Sequence, residues 1–100
     1  MSAHFASVLV PESKVTDVAG VADMADDALQ ALIAHAGEDA PEVANLHAAI
    51  KDIRQALQRH QAAHQLVLDR AQLALLAGVA ARRAANFGER TAVAMVESCL

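Results

Sequence analysis

The chain has 100 residues, of which 55% are apolar and only 2% aromatic, with a formal net charge of −4. That length supports one small domain whose single core barely covers its own apolar surface. The lone Cys99 excludes a disulfide framework, and two phenylalanines without Trp or Tyr exclude a base-stacking nucleic-acid surface.

Alanine supplies about a quarter of the residues, and with Leu and Val it reads as all-helical, because Ala loses no side-chain entropy in a helix. Charge is divided along the chain. Residues 1–45 carry eight acids against Lys14, a net −7, and residues 46–100 carry seven bases against four acids, a net +3. Such halves attract, which favours folding one back on the other over binding nucleic acid. The single cysteine and the absence of a basic start before a long apolar run point to a reducing, cytoplasmic setting. The most apolar run, 71–81, is too short to span a bilayer, and the acidic balance disfavours a lipid-surface role for it with Arg82 and Arg83.

Residues 1–12, with Phe5, Val8, Leu9 and Val10 ahead of Pro11, form an extended arm: either a short strand docked on something apolar or a disordered start. Helix 1 is expected over 14–36. Ser13 or Thr16 would cap it, Gly37 would end it, and Val18, Val21, Ala22, Ala25, Ala28, Leu29, Leu32 and Ala36 form one stripe. Asp23, Asp26 and Asp27 lie opposite as a solvated acidic face. In "GEDAPE" a sharp turn follows, with Asp39 and Glu42 spaced as a capping box and Pro41 in the first helical turn. So short a connection implies an antiparallel hairpin in which residue i meets about 76 − i.

A long helix 2 is expected from 40 to 86. Val43, Leu46, Ile50, Ile53 and Leu57, then His60, His64, Val67, Ala71, Ala74 and Gly78, keep a heptad seam. Beyond the reach of helix 1, Leu66, Leu68, Leu73, Leu75, Leu76 and Val79 make it apolar nearly all round, so its second half must be covered. Either a bend near Gly78 folds the rest back, or a second copy covers it, and the second is favoured because few apolar elements remain. The expected architecture is therefore an all-α antiparallel hairpin with a long second helix and a short C-terminal helix over 89–99, oligomerising into a bundle. In the last helix Ala92, Met95, Val96 and Cys99 share a face.

The hairpin register places His60 and His64 opposite residues 12–16, with Glu12 and Asp17 in reach. Two imidazoles four residues apart on a helix could bind Zn2+, Ni2+ or Cu2+, could act as a pH switch in a subunit seam, or could be polar seam residues that fix register. The metal reading lacks a certain third ligand, so no cofactor is expected. No Ser–His–Asp or Cys–His arrangement and no Gly-rich phosphate loop is present. The composition thus points to a non-enzymatic protein–protein interaction module of adaptor, co-chaperone or regulator type. It would associate with itself, or hold a partner protein's helix, through Leu57, His60, His64, Leu66, Val67, Leu73, Leu76 and Val79. The alternative is a metal-responsive regulator or metal carrier using His60 and His64.

Overall fold

The computed structural model describes residues 6–100. Strand β1 (Ser7–Val10) leads through a 3-10 turn (Glu12–Lys14) into helix α1 (Val15–Ala36). Helix α2 (Pro41–Ala63), strand β2 (Leu66–Asp69), helix α3 (Arg70–Arg83) and helix α4 (Phe87–Glu97) follow. The fold is mostly helical, as the composition implies, but it is not all-α: β1 and β2 form a two-stranded antiparallel sheet. Expectations resting on residues 1–5, Phe5 among them, lie outside the described residues.

Helix α1 has no side-chain cap from Ser13 or Thr16. It grows instead out of the 3-10 turn, which closes with Lys14 N donating to Pro11 O at 2.9 Å. It ends at Gly37, whose φ of 85° suits a residue without Cβ and whose N–H returns to Ile33 O. Val18, Val21, Ala22, Ala25 and Leu29 are buried along its expected stripe, joined by Met24. At the start of α2 the Asp39–Glu42 capping box is not made. Ala40 is the N-cap, and Pro41 follows where its missing N–H costs nothing.

The long helix expected over 40–86 is two helices with a strand between them. His64 takes the left-handed conformation, φ 56° and ψ 26°, and its N–H closes the last turn on His60 O at 2.7 Å. A single left-handed residue turns the chain out of the helix axis, and residues 66–69 become extended. Along them Leu66 and Leu68 point inward while Val67 and Asp69 face solvent. Strand β1 answers with Val8 and Val10 inward and Ser7 and Leu9 outward. The register pairs Val8 with Leu68 and Val10 with Leu66 inside, and Leu9 with Val67 outside. Asp69 then accepts from Gln72 N at 3.0 Å, capping α3 and restarting the helix in a new direction.

The new direction supplies the cover that a straight helix would lack. Helix α3 packs on both α1 and α2, α4 packs on α1 and α3, and Leu66, Leu73 and Leu76 end at 0–1% exposure in the chain's own core. Gly78 lies within an unbroken α3, so no bend is needed there. The premise that a second copy must cover this stretch is thereby replaced by intramolecular cover. Helix α4 begins two residues earlier than expected because Asn86 caps it, accepting from Glu89 N at 2.8 Å. It buries Val93 and Val96, while Met95 is exposed instead of filling the contact. No helix among the described residues is long and apolar enough to cross a membrane.

The left-handed turn carries a prediction. A Cβ in that conformation is disfavoured by about 1–2 kcal/mol relative to the right-handed one, and glycine escapes the cost at the expense of a more flexible unfolded chain. His64→Gly should therefore raise stability by about 0.5–1 kcal/mol, a midpoint increase of several degrees in thermal unfolding followed by circular dichroism. His64→Val should lower it, because a β-branched side chain fits that backbone worst.

Candidate interaction surface and histidine site

The two histidines of the expected seam have different surroundings. His60, in the last turn of α2, is 9% exposed, whereas His64 is the exposed residue that ends the helix. His60 Nε2 lies 3.0 Å from Glu12 Oε1. An ionised carboxylate only accepts, so Nε2 carries the proton and donates. The contact ties the end of α2 to the 3-10 turn behind β1, one helical turn from the pairing of Glu12 with His64 that the hairpin register implies. With Glu12 still 69% exposed, it contributes under about 1 kcal/mol. Donation to Glu12 occupies Nε2, which leaves Nδ1 as the only free ring nitrogen of His60. Among the described residues no group of three or more His, Cys, Asp or Glu is arranged to hold a metal ion.

Among the described residues, the acidic and basic halves are joined at Arg54 as well as at the His60–Glu12 contact. Arg54 of α2 reaches Asp23 at 2.9 Å and Asp26 at 3.4 Å on α1. The Asp23 hydrogen bond, with the Asp26 carboxylate nearby, holds the guanidinium above its ordinary range. All three groups remain partly exposed, so the cluster orients the hairpin more than it stabilises it. Asp26 and Arg54 also line an open groove of about 760 Å3 between α1 and α2, together with Leu29, Ile33, Val43 and Ile50.

Of the other residues expected at an interface, Leu66, Leu73 and Leu76 belong to the core, Val79 is 9% exposed, and Leu57 is half-buried against it. Val67 alone among these apolar residues stands out, at 50% exposure, and its cross-strand partner Leu9 stands out further, at 61%. The signal for this pair was divided between two distant segments. Leu9 belongs to an arm with apolar character, and Val67 to a helical seam; only the strand register shows that they are neighbours.

The outer face of the β1–β2 ribbon is thus an apolar cross-strand pair flanked by Ser7 and Asp69. Each strand has a strand neighbour on one side only. Such an edge presents unpaired backbone N–H and C=O groups, and four-residue strands limit, without removing, its capacity to add another strand. Compared with known proteins, the chain matches no family model, no curated protein and no solved structure.

Proposed function

We propose that the protein is a non-enzymatic helical interaction module that associates with a second copy of itself through the β1–β2 ribbon. The observation that carries this reading is the Leu9–Val67 pair: two large aliphatic side chains, directly opposed, half or more exposed, on a sheet of only two strands. A second copy related by a two-fold axis would bring the same pair against itself, the usual geometry of self-association. Strand addition at an edge would supply backbone hydrogen bonds, and Leu9 and Val67 would supply the apolar contact. The helices act as the rigid support, since Val8, Val10, Leu66 and Leu68 anchor the ribbon's inner face in the core.

Sedimentation equilibrium tests this. The wild-type chain is expected to show concentration-dependent dimerisation, and Leu9→Lys/Val67→Lys to sediment as a folded monomer with an unchanged circular dichroism spectrum. A wild-type chain that stays monomeric at high concentration, or a double variant that associates as strongly, overturns the reading.

A further inference from the structure

Away from the ribbon, helices α1, α2 and α3 meet around a second, smaller concavity of about 290 Å3. Its apolar walls are Ala28, Ala31 and Leu32 of α1, Leu46 of α2 and Val79 of α3. The hollow exists because two of the three α1 positions carry alanine, where a larger side chain would fill the space between the helices. Every charged side chain lining it belongs to Arg82 or Arg83, in the last turn of α3. Both arginines are exposed, and among the described residues neither makes a hydrogen bond or ion pair. Arg54, by contrast, is held by two carboxylates.

From this arrangement we propose that the pocket binds a medium-chain alkyl carboxylate, its tail between the three helices and its head group on Arg82 and Arg83. The chemistry of the lining selects the class. Five aliphatic side chains offer a tail no hydrogen bond, and two guanidiniums offer a carboxylate a planar, charge-assisted pair of donors. Size selects the length. The concavity is open to solvent, and at about 30 Å3 for each water-sized unit its volume admits at most about ten non-hydrogen atoms, so the tail is no longer than that of an eight- to ten-carbon acid. A single aliphatic peptide side chain such as leucine would leave most of it empty. The α1–α2 groove is larger, but acidic, basic and amide side chains mix along it, and its Arg54 is already engaged. The alkyl-carboxylate site is independent of the ribbon, so either reading can fail without the other.

Isothermal titration calorimetry with decanoate, below its micelle concentration, tests the site on the full chain. One-to-one saturable binding is expected, tightening about threefold for each methylene added from hexanoate to decanoate. Decanol and decyltrimethylammonium are expected to bind at least tenfold more weakly than decanoate. Arg82→Glu/Arg83→Glu is expected to weaken decanoate at least tenfold, and Ala31→Leu, which fills the hollow and leaves the charges in place, to weaken it comparably, with both variants verified as folded. The site is overturned if decanoate fails to bind, if decanol binds equally well, or if both folded variants bind decanoate like the wild type. Preference for a peptide ending in an aspartate-rich segment over decanoate likewise overturns it.

Discussion

Leu76→Ala will cost about 2–5 kcal/mol of stability, and the loss will not change with protein concentration. Leu76 is fully buried, on a helix that packs against α1, α2 and α4 of the same chain. Truncation removes its transfer free energy and leaves a cavity that helices cannot fully close. Set against the 5–15 kcal/mol that holds a typical domain together, this is a large fraction. Concentration is the informative variable. Were the leucine covered by a second copy, the midpoint of denaturant unfolding would rise with protein concentration, and more steeply for the wild type than for the variant. Chemical denaturation at two concentrations a hundredfold apart distinguishes the cases, and a concentration-dependent loss would place Leu76 at an intermolecular contact.

The other large effect lies in β1, where adjacent residues should behave oppositely. Val10→Asp will destabilise by about 3–5 kcal/mol, because Val10 is 4% exposed against Leu66 and the introduced carboxylate would have no partner inside. Leu9→Asp, one residue away and 61% exposed, will change stability by less than about 1 kcal/mol. Its effect will appear in self-association instead. Urea unfolding of the two variants beside sedimentation gives both readouts. Equal destabilisation by both would mean that the strand is not alternately buried as described.

Much of the helical frame was legible because its signals are local. The end of Val15–Ala36 and the start of Pro41–Ala63 fall within a residue or so of Gly37 and Pro41, which enforce those two boundaries through backbone conformation. The hairpin register was legible too. Every β1–β2 partner pair has residue numbers that add to 76, the value expected for a helical hairpin although no strand was expected over 66–69, and Glu12 meets His60 four residues away from that register, which pairs Glu12 with His64. The break between α2 and α3 was not legible from periodicity. No Gly or Pro marks it, and a heptad pattern can be extended through His64 and Val67 because both residue types occur on helices. Two signals did stand in the sequence. Leu66-Val67-Leu68 is a short apolar run closed by Asp69, as a strand can be, and Asp69 with Gln72 has the spacing of a helix start inside what reads as one helix. The heptad outweighed them because it spans many more residues than a four-residue strand.

The buried pattern after the break shows what that misreading cost. A seam continued through Val67, Ala71, Ala74 and Gly78 gives way to Leu73, Leu76, Ala77 and Ala80, a different face of the helix. Four extended residues shift the helical phase, so the face extrapolated across them no longer points at the core. The pairing of Leu9 with Val67 could not be read from the sequence for a related reason: cross-strand neighbours are set by tertiary register, which no local window contains.

The pairing of β1 with β2 also governs the order in which the chain can fold. Val10 meets Leu66 across roughly 55 residues, a loop whose closure costs about 3.5 kcal/mol of entropy before its constant part, whereas the α1–α2 turn closes over a few residues. The hairpin can therefore form while β1 still waits. At 5–20 residues per second of synthesis, the wait lasts about 3–11 s. Throughout that interval Val8, Leu9 and Val10 are an unpaired hydrophobic segment on a nascent polypeptide. The β1–β2 pairing is thus one of the chain's long-range closures, beside the packing of α3 and α4 on α1, and such non-local contacts slow folding more than helix formation does.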